Sequence, residues 1–191
     1  MDYQTIFGIF SVAAGLVGFG LYFWSIYKGY TKPHAFTWVS FALLDAITFA
    51  AQVTSGAGAG SWALGLGAVG CTIVAVVAIF VGHVKIRGAD TVSFLAALLG
   101  IVLWALTSNP LYAVILAAII NILGVIPTVR KSFDEPATES VTIWSIDLLR
   151  YGASLLALQT FTLTTALVPA SILLSNAAVI TTVLMRRHKS V

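Results

Sequence analysis

The segment SWALGLGAVGCTIVAVVAIFVGHV, residues 61–84, decides the class of fold to which this chain belongs. It contains no Asp, Glu, Lys or Arg, and it is longer than the roughly 20 apolar residues that a helix needs to cross the hydrocarbon core of a bilayer. The rest of the chain is similar, because 59% of the 191 residues are hydrophobic and 9% are charged. A soluble domain has about 25% charged residues. The sequence therefore predicts an integral membrane protein.

Seven apolar segments are candidates for membrane-spanning helices. They cover residues 3–27, 35–54, 61–84, 91–107, 111–129, 141–158 and 163–185. Because little sequence remains between them, we expect a multi-pass protein of the cytoplasmic membrane whose function lies within the spans and their short loops.

The basic residues follow every second span. Nine of the ten lysines and arginines come after the first, third, fifth or seventh span: Lys28, Lys32, Lys85, Arg87, Arg130, Lys131, Arg186, Arg187 and Lys189. Because positively charged loops stay in the cytoplasm, this alternation predicts an N-terminus outside and a C-terminus in the cytoplasm. The same topology explains the net charge of +3 without a nucleic-acid partner. The tenth basic residue, Arg150, lies within the sixth span.

Two segments of the chain repeat one plan, KGYTKPHAFTWVSF at 28–41 and KSFDEPATESVTIWSI at 131–146. In each copy a span ends at a basic turn with proline, and the next span opens with a tryptophan, Trp38 or Trp144. The repeat predicts an all-α protein with two parallel three-helix bundles, residues 1–84 and 111–185. A linker helix at 91–107 would give both bundles the same orientation.

This 3+1+3 plan, together with the segment IPTVRKSFDEPATESVTIW at 126–144, resembles the PQ-loop and SWEET group of small-solute transporters. Pro127 matches the proline of the family motif, whereas Thr128 stands where the family has glutamine. The resemblance implies alternating access and a solute contact by Asn176, which occupies the position of an asparagine on the third helix of a bundle. We expect Pro127 to act as a hinge, because proline removes one backbone hydrogen bond from a helix.

Charged and polar residues form a stripe on the second span and another on the sixth, since residues three, four and seven apart share a helix face. The members are Trp38, Asp45, Thr48 and Gln52, and Trp144, Asp147, Arg150 and Ser154. A charge at the bilayer centre costs about 2.5–3.5 kcal/mol, so such residues face a bundle interior or a wet cavity and pair with one another. We expect Asp45 and Arg150 to be partners across the pseudo-twofold axis.

These residues predict a binding site for a small polar solute near the middle of the membrane. The predicted substrate-binding residues are Asp45, Gln52, Asp147, Arg150, Asn176, Trp38 and Trp144. One arginine against two aspartates leaves one carboxylate that is protonated, hydrated or close to a cation, which makes proton coupling a hypothesis.

Three alternatives stay open at this point. In the first, Asp147 and Arg150 form a purely structural pair within one helix. In the second, Trp38 and Trp144 anchor the chain at the membrane interface. In the third, the whole chain is a receptor or partner subunit with a structural polar core. An enzyme is not expected, because the sequence has no nucleophile–base pair and no cluster with metal-ligand spacing. GLGAVG at 65–70 lies inside a span, so no nucleotide cofactor is expected either.

Overall fold

The computed structural model describes residues 1–31, 33–81, 88–136 and 139–188. Seven α-helices and one short 3-10 turn make up most of these ranges. They are α1 (Tyr3–Tyr27), α2 (Ala35–Thr54), the 3-10 turn (Gly58–Ser61), α3 (Trp62–Val81), α4 (Gly88–Thr107), α5 (Leu111–Asp134), α6 (Val141–Leu156) and α7 (Leu163–His188). The prediction of an all-α protein with seven helices is confirmed.

Five of the helices that the structure describes are long and apolar enough to cross a bilayer: α1, α2, α3 with its 3-10 turn, α5 and α7. The apolar part of α4 is shorter, at 94–107. The helix α6 has 16 residues, and at about 1.5 Å per residue its length is about 24 Å. The chain is an integral membrane protein, as its composition predicts.

The helix ends differ from the predicted spans where polar contacts decide them. The helix α6 ends at Leu156, before the predicted end at 158, because the chain turns there and the Gln159 N–H donates to the carbonyl of Ala57 at 3.0 Å. The helices α5 and α7 continue to Asp134 and His188, since charged residues beyond the apolar core are compatible with helix. The predicted end of the third span at 84 lies outside the described residues.

Local capping explains where several helices begin and end. Asp2 accepts the Thr5 N–H at the start of α1 at 3.2 Å, and hydrogen bonding by the Thr5 side chain, together with this N–H, lowers the pKa of the exposed Asp2 carboxyl. The helices α1 and α2 are each followed, two positions after their last residue, by a glycine with positive φ, Gly29 at 74° and Gly56 at 76°. The next N–H in each case reaches back to a carbonyl of the last turn, as in the Schellman motif.

The helices pack in two similar groups. In one group α3 packs against both α1 and α2, and in the other α7 packs against both α5 and α6. Between the groups, α1 packs on α6 and α2 on α5, while α4 lies against α2 and α5. Small residues permit close approaches: a Cβ added to Gly100 on α4 would lie 3.3 Å from Ala113 Cα on α5.

The described basic residues of the loops lie at the C-terminal ends of α1, α5 and α7: Lys28, Arg130, Lys131, Arg186 and Arg187. At this end of the molecule the Arg186 Nε donates to the carbonyl of Phe133 at 2.9 Å. The other four basic loop residues, Lys32, Lys85, Arg87 and Lys189, lie outside the described residues. We call this the basic end of the protein.

Candidate functional site

A partly open cavity of about 630 Å³ lies between the two groups of helices. Residues of α1, α2, α3, α5, α6 and α7 line it. Six of the seven predicted binding residues are in this lining: Trp38, Asp45, Trp144, Asp147, Arg150 and Asn176. The charged side chains in its described lining are the carboxylates of Asp45 and Asp147 and the guanidinium of Arg150. A volume of this size is typical of small-molecule sites, which measure about 300–1,000 Å³.

Arg150 is buried, with 6% of its surface exposed, and its side chain crosses from α6 to α3. Its Nη2 donates to the carbonyl of Ala63 at 2.6 Å, and its Nη1 donates to Asp147 Oδ1 at 3.4 Å. On the way the side chain passes Gly15 of α1, where an added Cβ would lie 3.0 Å from Arg150 Nε. Gly15 therefore provides the space through which Arg150 reaches α3.

Asp45 and Arg150 meet at Gly67 on α3. A Cβ added to Gly67 would collide with Asp45 Oδ2 and would lie 3.2 Å from Arg150 Nη2. The two side chains thus approach one another, as the sequence predicts, but within the described ranges the ion pair of Arg150 is with Asp147. The expected ion pair between Asp45 and Arg150 is therefore not found among the described residues. Asp147 lies one helical turn from Arg150 on α6 and accepts from one Nη group, while the Ala63 carbonyl accepts from the other.

Asp45 has few partners in the described part of the chain. The hydrogen bond recorded to its carboxylate comes from the Cys71 thiol on α3, with Sγ and Oδ2 3.9 Å apart. Asp45 is half-buried and faces the cavity. A thiol is a weak donor, so the Asp45 carboxylate is more weakly hydrogen-bonded than that of Asp147.

Asp147 is held on both carboxylate oxygens. Arg150 donates to Oδ1, and the Asn176 Nδ2 on α7 donates to Oδ2 at 3.4 Å. The Asp147 side chain is 37% exposed. A second amide on the cavity wall, Asn121 of α5, donates to the hydroxyl oxygens of Ser171 at 3.2 Å and Ser175 at 3.1 Å on α7.

Aromatic rings line the cavity between its charged centre and the basic end. Tyr22 of α1 and Trp38 of α2 have ring centroids 4.8 Å apart, and Trp38 and Phe41 are 6.0 Å apart and perpendicular. We call Tyr22, Trp38 and Phe41 the aromatic wall. Trp144 lines the cavity from α6, and its Nε1 donates to Glu139 Oε2 at 3.1 Å.

On the side of the charged centre away from the aromatic wall, two side chains are bonded to backbone carbonyls. Gln52 donates through Nε2 to the carbonyl of Thr165 at 2.5 Å, and Ser154 donates through Oγ to that of Gly60 at 2.8 Å. Both side chains belong to residues with 0% exposure. We call these two contacts the seal. Gln52 does not belong to the cavity lining, so its position gives no support to the predicted solute contact.

Pro127, the predicted hinge, lies inside the continuous helix α5 and is exposed. Its role as a hinge stays a prediction. A second proline that the sequence analysis did not single out, Pro169, is buried inside α7. Tyr22, Phe41 and Cys71 were also missed as lining residues. Phe41 alone had a signal, because it lies between Trp38 and Asp45 on the same face of α2.

Comparisons with protein-family models, with curated proteins and with solved structures give no match for this chain. In the described ranges no group of three or more His, Cys, Asp or Glu residues could hold a metal ion. The function is therefore interpreted from the cavity and its surrounding helices.

Proposed function

We propose that this protein is an alternating-access transporter of a small polar solute. Its two parallel three-helix bundles are α1–α3 and α5–α7, with α4 as the linker, the N-terminus outside and the C-terminus in the cytoplasm. The shared packing plan supports this arrangement, since the third helix of each group contacts both other members. The position of the basic residues supports the orientation.

The observation that carries the proposal is the cavity between the two groups, with charged side chains at mid-helix. Asp45 lies on α2 of one group, and Asp147 and Arg150 lie on α6 of the other. Charged groups inside a membrane are expensive and belong to solute or ion pathways by default. Transporters built from parallel repeats place their solute sites at the same location, near the midplane between the repeats.

The seal supports a cavity with two different ends, as one state of an alternating-access cycle requires. Its contacts are single hydrogen bonds from Gln52 and Ser154 to backbone carbonyls. Interhelical hydrogen bonds of side chains in membrane proteins contribute about 0.6 kcal/mol on average. A rocking motion of one bundle against the other therefore breaks the seal at a small cost in free energy.

Proton coupling is part of the proposal and rests on Asp45. Its carboxylate faces the cavity, and its recorded donor among the described residues is a thiol at 3.9 Å. A carboxylate in that position takes up a proton from the cavity and releases it when the opposite end opens. Coupling of solute flux to a pH gradient follows if Asp45 changes its protonation during the cycle.

Reconstitution in liposomes tests the proposal directly. Uptake of a panel of labelled amines, sugars, amino acids and organic acids would be measured with and without a pH gradient. We expect uptake of at least one solute above that of empty liposomes, with a dependence on the gradient that Asp45→Asn abolishes. Asp2→Asn is the matched control, because Asp2 is an exposed N-cap of α1 and asparagine also caps helices.

The alternative of a receptor or partner subunit predicts a different result. The polar centre would then only hold the helices together, and no solute of the panel would cross the membrane. Uptake that continues unchanged in Asp45→Asn would support transport and remove proton coupling through this residue.

A further inference from the structure

The charged groups of the cavity do not balance. Asp45 and Asp147 contribute two carboxylates, and Arg150 contributes one guanidinium group. Both Nη groups of the guanidinium have fixed partners, the Ala63 carbonyl and Asp147, while its Nε is buried and has no hydrogen-bond partner among the described residues. In the described lining, the carboxylate that lacks a cationic partner within ion-pair distance is therefore Asp45.

The aromatic rings near the charged centre and those farther from it differ in whether a cation lies over them. Near the charged centre, the Arg150 guanidinium already lies over Tyr151 at 4.9 Å and over Phe19 at 5.7 Å from the ring centroids. Farther from the seal, no cation of the described residues lies over the aromatic wall. The faces of aromatic rings attract cations, and most strongly those of tryptophan.

Asp45 and the aromatic wall lie along one path. Trp38, Phe41 and Asp45 are spaced by three and four residues on α2, so they share one face of that helix. At about 1.5 Å per residue, Phe41 is about 6 Å and Trp38 about 10 Å along the helix axis from Asp45. A positively charged ligand about 6 Å long can therefore contact the Asp45 carboxylate and the near edge of the aromatic wall at Phe41 together.

We propose that the solute of this cavity is a compact organic monocation that bears no anionic group. Its positive charge lies against Asp45, and its apolar surface packs on the aromatic wall. The inference rests on the proposed transport function and names its substrate class. The volume of about 630 Å³ leaves room for such a molecule with part of its hydration shell.

The same arrangement excludes anions and zwitterions. A carboxylate or phosphate group in the cavity would face Asp45 and Asp147, and it would find Arg150 already bonded to Ala63 and Asp147. Releasing Arg150 for such a ligand would leave the Ala63 carbonyl and Asp147 without their donor. A neutral molecule of the same shape gains the aromatic contacts but not the attraction to Asp45.

Three probes of nearly equal size and different charge test the inference on the purified wild-type protein. Choline is a monocation, 3,3-dimethylbutan-1-ol is its neutral isostere, and glycine betaine has the same cationic head with a carboxylate. Binding to the detergent-solubilised full chain would be measured by isothermal titration calorimetry. We expect choline to bind at least about tenfold more tightly than either of the other two probes.

Variants then locate the selectivity. Asp45→Asn preserves the side-chain shape and should reduce the preference for choline over its neutral isostere to less than about twofold, whereas Asp2→Asn should preserve it. Trp38→Leu should weaken choline binding several-fold, and Trp38→Phe should restore part of it because the ring face is retained. Circular dichroism and size-exclusion profiles would verify that each variant is folded.

The outcomes separate the substrate class from transport. Absence of choline binding, equal binding of the neutral isostere, tighter binding of betaine, or unchanged selectivity in Asp45→Asn would each overturn the monocation inference. If choline binds selectively but no choline enters proteoliposomes, the cation site stands and the transport function falls. If sugars or organic acids are taken up while choline neither binds nor competes, transport stands and the monocation class is wrong.

Discussion

The helices α2 and α6 both carry charged side chains that line the cavity, yet the contacts of those charges differ. On α6, Arg150 and Asp147 form an ion pair at 3.4 Å, and Arg150 also bonds the backbone of α3. On α2, Asp45 faces the cavity with the Cys71 thiol as its recorded donor among the described residues. The charges of α6 thus hold helices together, whereas α2 presents a charge to the cavity.

The difference shows that two helices with similar packing need not contribute the same chemistry to the cavity. Trp38 and Trp144 both line the cavity near the first turn of their helices. Trp38 packs against Tyr22 and Phe41, whereas the Trp144 indole N–H is bonded to Glu139. The architecture is shared, and the chemistry of the cavity is divided between the two halves.

The largest effect is expected from replacing the arginine that ties α6 to α3. Arg150→Met removes the bonds to Ala63 and Asp147 and leaves Asp147 without its ion pair. We expect a loss of about 3 kcal/mol in the free energy of unfolding, near the lower end for breaking a buried pair, because Asp147 retains contact with the cavity. Denaturant titration in detergent micelles measures this.

The double variant Asp147→Asn/Arg150→Met is the control for that experiment. It removes both charges, so it should be less destabilised than Arg150→Met alone. A single variant as stable as the wild type would show that α6 does not depend on this arginine, and the contrast with α2 would disappear.

A somewhat smaller effect is expected at Gly67, where the charges of the two helices meet. The added Cβ of Gly67→Ala collides with Asp45 and crowds the Arg150 Nη2. We expect a loss of about 1–3 kcal/mol in unfolding free energy, as for overpacked interiors, together with weaker choline binding. Gly20→Ala is the matched control, because an added Cβ there has nothing within 4 Å. Equal stability of both variants would contradict the close approach at Gly67.

Cysteine labelling compares the two ends of the cavity rather than the two helices. In a Cys71→Ser background, Thr128→Cys lines the cavity and should react readily with a polar maleimide. Ser154→Cys lies in the seal at 0% exposure and should react only when the opposite end opens during turnover. Protection of Ser154→Cys in every condition would favour a permanently packed bundle.

The smallest effect is expected inside the second group of helices. Asn121→Ala removes the hydrogen bonds from α5 to Ser171 and Ser175 of α7. We expect a loss of about 0.6–1.7 kcal/mol in unfolding free energy, between the average and the largest value measured for such bonds in membranes. Selectivity among the three choline-sized probes should be unchanged, because Asn121 carries no charge. A loss of selectivity would place this amide in the cation site.

The helices were largely predictable from the sequence, and the contacts of the site only in part. The spans at 3–27 and 35–54 match α1 and α2, since glycines and polar residues end the apolar segments there. The pairing of Asp147 with Arg150 follows from their spacing on one helix. No pattern in the sequence indicates the hydrogen bond of Arg150 to the Ala63 carbonyl. Every residue carries a backbone carbonyl, and the sequence does not show which one is accessible.

By itself, the sequence determined the membrane class, the helices and the faces of α2 and α6 that carry polar side chains. These properties follow from the cost of placing charge in hydrocarbon and from helical periodicity, both of which act on neighbouring residues. The tertiary structure decided which carboxylate has an ionic partner and which helices the buried polar side chains join. Those outcomes depend on contacts such as Arg150–Ala63 and Ser154–Gly60, which join residues 87 and 94 positions apart in the chain.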